Sequence, residues 1–271
     1  GIAALPPGFA YSESFDIDLA VLNWTQGFAN GRAGYAVGRL AFDAYLDAFP
    51  FQTFSRGFLN RSFVLNPTLP TTGIGALGGV VRGMVTDNIS LGAQIHDANA
   101  ASGEFDFDTV GEGEWLKAID VGWTPSFGQR KTHVVQFTYW DKDARSVAGV
   151  SRGSGWAVSA AWKLNDKYFP FVRFGDSDGG GGVAAEQAFS AGVEISLPRG
   201  EAWTIGAGWA KPSEDTFGPG LDDETVLETS YKFQLTRELS LLADGQVIFN
   251  PANNPGKSSI WVIGVRAMLV L

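Results

Sequence analysis

Cysteine is absent from the 271 residues, histidine occurs twice, and no apolar run approaches the length of a membrane-spanning helix. Each absence excludes something. A chain without cysteine fits an exported protein that holds itself together without disulfides. A helical span needs roughly 18 consecutive apolar residues, so a helical membrane protein is excluded. Basic residues are also in deficit, 20 Lys and Arg against 29 Asp and Glu, for a net charge of −9 and a pI near 4.7. A nucleic-acid partner is therefore not expected, because phosphate binding needs a basic surface. His96 and His133 sit in no nucleophile or HExxH motif, so the lack of histidine also argues against an enzyme. No motif calls for a cofactor. The opening GIAALPPGFA has neither the charged nor the apolar region of a signal peptide. Either such a signal has been removed or the sequence starts inside a longer chain.

What is present is glycine (35 residues), aromatic side chains (13%) and hydrophobicity spread thinly over alternating positions. The last fifty residues show the pattern most clearly. From Ile260 the alternate positions Trp261, Ile263, Val265, Ala267, Leu269 and Leu271 are apolar, with Gly264 and Arg266 between them. Upstream, Leu239, Leu241, Ala243, Gly245, Val247 and Phe249 form one face, and Ser240, Asp244, Gln246 and Asn250 the other. Apolar outside and polar inside is the arrangement of a transmembrane barrel.

The same period of two predicts strands at 14–28, 33–42, 76–86, 89–97, 114–124, 131–141, 154–164, 167–175, 186–197, 201–210, 224–235, 237–249 and 259–271. In 154–164, Trp156, Val158, Ala160, Trp162 and Leu164 oppose Ala157, Ser159, Ala161 and Lys163; in 201–210, Trp203, Ile205, Ala207 and Trp209 oppose Thr204, Gly206 and Gly208. These lengths suit the ~9–11 tilted residues that cross a bilayer. Trp pairs six residues apart span about 20 Å along a strand, or about 15 Å along the membrane normal, which is short of an apolar band about 25 Å tall. One Trp of each pair is expected inside the band.

Odd-to-even connections (87–88, 125–130, 165–166, 198–200, 236–237) are short, and even-to-odd ones (43–75, 98–113, 142–153, 176–185, 211–223, 250–258) are longer. Bacterial outer-membrane barrels sort their connections in this way, with the short turns on the periplasmic side. The expectation is an all-β, transmembrane antiparallel barrel forming one domain over 1–271, with outer-membrane lipid as its surroundings. The first and thirteenth strands run in the same direction and cannot close as antiparallel neighbours. An odd number of strands is then expected before residue 14.

Four stretches resemble the carbohydrate-selective porins of Gram-negative outer membranes, the OprB-like family: VGRLAFD (37–43), FLNRSFVLNPTLP (58–70), IHDANA (95–100) and DGQVIFNP (244–251). The resemblance covers most of the chain and implies a 16-stranded pore entered near its fourth strand, a passive channel for small sugars, and a homotrimer as the candidate assembly. One departure is Leu271, where outer-membrane barrels usually end on Phe. The resemblance also implies a constriction at 43–75, a segment that carries Tyr45, Phe49, Phe51, Phe54, Phe58, Phe63, Arg56 and Arg61. Aromatic faces stack on sugar rings, and Arg or Asn supplies donors for hydroxyls. Packing of that loop against the wall or against a neighbouring subunit is the plainer alternative.

Alternation points Arg39, Arg82, Gln94, His96, Arg173, Glu194, Asp244, Gln246 and Arg266 inward. Arg39, Phe54, Arg56, Asn60, Arg61, Arg82, His96, Glu194, Asp244, Gln246 and Arg266 are thus the candidate pore-lining or constriction residues. Arg56, Asn60 and Arg61 are expected to face Arg82 and His96. Wall-stiffening ion pairs are the competing role for each. A general, ion-permeable or anion-permeable pore is the alternative function; an enzyme barrel or a soluble lectin-like β-protein has less support. The acidic run Glu104–Glu114 lacks the ligand order of a 12-residue Ca²⁺ loop and reads as a solvated loop. Gly179–Gly182 reads as a loop tip, with no helix behind it to cradle phosphate.

Overall fold

The structure, a computed structural model, describes residues 21–53, 56–70, 75–100, 107–145 and 148–270. Thirteen strands follow one another as a single antiparallel meander: β1 (Leu22–Phe28), β2 (Ala33–Leu40), β3 (Ala76–Met84), β4 (Ile89–Asp97), β5 (Trp115–Trp123), β6 (His133–Lys142), β7 (Gly153–Trp162), β8 (Tyr168–Ser177), β9 (Ala185–Ser196), β10 (Ala202–Pro212), β11 (Glu224–Gln234), β12 (Leu239–Phe249) and β13 (Ser259–Leu269). Every expected strand is found. Positions 14–20 of the first, and residue 271, lie outside the described residues. Among the described residues β1 and β13 pair only with β2 and β12.

The faces alternate as the sequence dictates. On β5, Leu116, Ala118 and Asp120 are buried while Ile119, Val121 and Trp123 are exposed. On β10, Trp203 and Ile205 are exposed and Ala202 and Thr204 buried. Side chains on a strand point to opposite faces in turn, so one face carries the apolar residues that meet lipid. Turning an Arg to the lipid face near the midplane costs about 2–4 kcal/mol. Outward aromatics form two levels. Trp123, Trp162 and Trp203 sit near the short turns, with Trp123 and Trp162 stacked at 5.8 Å. Trp156, Trp209 and Trp261 lie nearer the long connections. The two levels are six residues apart on β7 and β10, about 15 Å along the membrane normal, so they do not both reach the edges of an apolar band about 25 Å tall.

Three short turns share one local device. Thr86 Oγ1 accepts the amides of Asn88 and Ile89, Asn165 Oδ1 those of Lys167 and Tyr168, and Thr236 Oγ1 those of Glu238 and Leu239. A side-chain oxygen that satisfies two amides reverses the chain within a few residues. Sorting of the connections is not absolute: 124–132, on the short-turn side, is longer than 178–184 on the other. The former carries a short helical turn, and in the latter Gly181 O accepts Lys142 Nζ at 2.9 Å, drawing the glycine tip inward.

The segment joining β2 to β3 leaves the rim and fills the concave face. Phe49, Phe51, Phe58, Phe63 and Val64 cluster with Val134 of β6, Ala161 of β7, Phe169 and Phe171 of β8, Val226 of β11 and Ile248 of β12. One segment touching strands this far apart requires the sheet to wrap around it. Inward glycines make the fit possible: a Cβ at Gly206 would lie 2.8 Å from the Phe58 ring and 2.9 Å from that of Phe63. This packing also decides which inward positions water reaches. Ser159, Gly206 and Ser240 face inward but are covered, so cysteines there will resist water-soluble thiol reagents. A cysteine at Ser90, on the open part of the lumen, is expected to react, and cysteines at Ile119 or Phe137 to take only lipid-soluble reagents. Equal labelling of Ser90 and Ile119 by a charged maleimide would reverse the assignment of faces.

Candidate functional site: the lumen segment and its cavity

Two tethers hold the segment. The first is at Asp47, whose left-handed backbone (φ 49°) turns its carboxylate toward the wall. Asp47 Oδ2 accepts from Arg173 Nη2 and from Ser159 Oγ at 3.0 Å, and the Asp47 amide donates to Asp120 Oδ1 at 3.2 Å. Arg173 also donates to Ser159 Oγ at 3.0 Å and to Phe63 O at 3.2 Å, and lies 4.7 Å over the Phe49 ring. Both members of the ion pair are buried, at 0% and 1% side-chain exposure. The second tether is on β11 and β12. Glu228 accepts the amides of Leu59 at 2.6 Å and Asn60 at 2.9 Å, Ser230 Oγ donates to Gly57 O at 2.8 Å, and Asn60 Nδ2 donates to Gln246 Oε1 at 3.0 Å.

Beside the segment lies a cavity of about 710 Å³, bounded on one side by Ala44, Tyr45, Ala48, Phe49, Pro50 and Arg56, and on the other by β1 to β6 and the turn after β5. Arg56 is its most constrained polar group. The guanidinium donates to Glu194 through Nε at 2.9 Å and Nη2 at 3.4 Å, and lies 5.1 Å over Phe51 and 4.7 Å over Phe169. A planar guanidinium held edge-on by a carboxylate and flanked by rings keeps one orientation. Arg82 and Gln136 line the opposite wall, with Arg32, Arg130 and Lys131 nearer the short turns. Arg32 pairs with Asp87 at 2.6 Å, and Arg130 stacks 3.7 Å from the centre of the Phe127 ring.

Of the eleven candidates, Arg56 and Arg82 line this cavity. Phe54 lies outside the described residues. Arg56 and Arg82 share the cavity from opposite sides, whereas Asn60, Arg61 and His96 do not line it: beyond Arg56 the segment meets β11 and β12. Glu194, Asp244 and Gln246 are consequently covered, Glu194 by Arg56 and the other two beneath Asn60. His96 is fully buried, 5.1 Å edge-on to Phe42 and 3.0 Å from Gln94 Oε1. Arg61 opens α1 (Arg61–Val64) and sits in a separate narrow cleft with Asp43 and Gln52. Arg266 is half-buried on β13, away from the cavity lining. Arg39 is buried at 1% exposure but does not line the cavity; the positive φ of Gly38 (132°) interrupts the alternation of β2, so that Arg39 and Leu40 are buried in succession.

Two anchors escaped the sequence reading. Glu228 shares the inward face of β11 with Glu224, Val226 and Ser230, so the alternation that singled out Glu194 and Asp244 reaches it as well. Asp47 had no such signal, because its direction depends on the conformation of an irregular segment.

Residues 196–271, the end of β9 to the carboxyl terminus, match the family model described as carbohydrate-selective porin, OprB family. Over that stretch the chain is similar to the OprB porins. Porin AaxA of Chlamydia felis (strain Fe/C-56) is 25% identical over 219 residues, covering 78% of this chain and 48% of that protein. The chain thus spans about half the length of the curated relative it matches. The high-pH structure of Pseudomonas putida OprB superposes with a TM-score of 0.72 at 14% identity, over 90% of this chain and 71% of that one. The fold is that of an antiparallel porin barrel.

Proposed function

We propose that the chain, as one domain over 1–271, builds the wall and the constriction of a passive diffusion channel in the outer membrane of a Gram-negative bacterium, passing small sugars. The observation that carries this is Arg56. Its charge is matched by Glu194 and its plane is fixed by Phe51 and Phe169, so it presents oriented N–H donors at the cavity wall. A sugar offers hydroxyls to such donors and C–H faces to Tyr45 and Phe49. It meets the site without the desolvation cost that an ion bears on entering. Diffusion through such a lumen involves no bond-making step and no catalytic group. A homotrimer is the assembly proposed for it.

The test is sugar block of the ion current in planar bilayers. Replacing Arg56 by Ala removes a charged donor worth about 1.5–3 kcal/mol, which predicts a loss of roughly tenfold or more in sugar affinity. Sugar block that is unchanged in Arg56→Ala would overturn the assignment. The second reading, an anion-permeable pore, has a specific observation in its favour: Arg32, Arg56, Arg82, Arg130 and Lys131 line the cavity, and no carboxylate does among the described residues. Under that reading Arg82→Ala moves the reversal potential toward cations, and sugar block is absent before and after.

A further inference from the structure

The lumen segment is tied to β11 and β12 immediately after Arg56. Four contacts converge within four residues of it. Gly57 O accepts from Ser230 Oγ at 2.8 Å, the amides of Leu59 and Asn60 donate to the two oxygens of Glu228 at 2.6 and 2.9 Å, and Asn60 Nδ2 reaches Gln246 Oε1 at 3.0 Å. Asn60 is engaged at its other end too, its Oδ1 accepting the Ser62 amide at 3.0 Å and capping α1. The chain lies so close to β10 here that a Cβ on Gly57 would overlap the Thr204 side chain and come within 3.3 Å of Ser230 Oγ. Glu228 is itself 2% exposed, and Gln246 is steadied by donating to Asp244 Oδ1 at 2.8 Å.

We infer that Glu228, with Ser230 and Gln246, is a backbone latch that positions Arg56, and that this latch rather than the wall arginines sets the width and the sugar affinity of the passage. Glu228 touches no solute; it acts through residues 57–60. A carboxylate that accepts two consecutive amides fixes both position and direction of the chain. Freed of it, 57–60 carries unsatisfied donors in a buried place, and Arg56 swings away from Glu194. The inference rests on the channel reading above, since Arg56 matters only if solute passes it.

The experiment is single-channel recording of the purified protein with sugar titration, on wild type, Glu228→Ala, Glu228→Gln and Ser230→Ala, with Leu59→Cys added to each for thiol labelling. No native cysteine interferes. Leu59 is 2% exposed, so its cysteine is expected to be protected in the wild-type background. Glu228→Ala should raise open-channel conductance and current noise, weaken sugar block at least tenfold, and speed labelling at Leu59→Cys at least tenfold. Glu228→Gln keeps the size and one acceptor oxygen but turns an NH2 group toward the second amide, so it should recover only part of the block; full recovery would mean that Glu228 merely fills space. Should Glu228→Ala fail to give the heat-dependent gel shift of a folded barrel, Glu228→Gln and Ser230→Ala decide by the same readouts. Wild-type block and protection in every folded variant would overturn the latch while leaving the channel standing. A wild-type protein with no sugar block at all would instead remove the reading on which the latch rests.

Discussion

Replacing Arg173 by Ala is expected to destabilise the barrel by about 3–5 kcal/mol, the cost of leaving a buried charge without its partner. Asp47 would keep Ser159 Oγ as a donor, but Ser159 cannot neutralise it, and the neighbouring Asp120 adds like charge. The same change removes the donor to Phe63 O and the cation over Phe49, so the loss extends from the ion pair into the aromatic cluster. Asp47→Asn should cost less, since an amide can still accept from Ser159 and leaves Arg173 with Phe63 O. Replacing both residues by apolar ones of similar volume is expected to recover much of the stability while the segment loses its fixed position, because a buried pair contributes little against well-packed apolar side chains. Urea unfolding followed by the heat-dependent gel shift measures the first quantity, and open-channel noise the second. A fully stable Arg173→Ala variant would show that water or rearrangement satisfies Asp47, and that the first tether is weaker than its burial implies.

The strands and their faces were legible because a period of two is written into each segment separately. In β12 the apolar Leu239, Leu241 and Val247 and the polar Ser240, Asp244 and Gln246 need no distant residue to be sorted. A burden of five phenylalanines in a connection likewise says that it must be buried somewhere. Where it is buried could not be read, because Arg56 finds Glu194 138 residues away and Asn60 finds Gln246 186 residues away. Such contacts follow from how the segment crosses the lumen and not from any local pattern. Strict alternation also breaks at Gly38, whose positive φ leaves Arg39 and Leu40 buried one after the other, a local irregularity that no period of two announces. His96 and Gln246 were placed on the correct face, yet that face is now covered. Alternation tells which side of the sheet a residue is on, and only the fold of the segment tells whether solute can reach it.

Phe171→Ala is the second change with a large expected effect, about 3–5 kcal/mol for emptying a buried aromatic position. The ring of Phe171 meets those of Phe49 at 5.6 Å, Phe51 at 4.8 Å, Phe58 at 5.4 Å and Phe63 at 6.3 Å, so it joins both halves of the lumen segment to β8. Little can close the gap from the wall side, since the adjacent strand presents Gly192, whose place for a Cβ lies 2.7 Å from the Phe171 ring. Any collapse must come from the segment itself, drawing Phe51 off Arg56. Sugar block and stability are therefore expected to fall together in Phe171→Ala, whereas Arg56→Ala weakens block with a smaller loss of stability. The pair Arg173→Ala and Phe171→Ala share Phe49, which Arg173 overlies and Phe171 abuts. Side chains with a common partner couple by about 0.5–3 kcal/mol, so the double variant should lose less than the sum of the two single losses. Strict additivity in urea unfolding would mean that Phe49 is held independently at each contact, and that the segment is two separate docking events instead of one packed unit.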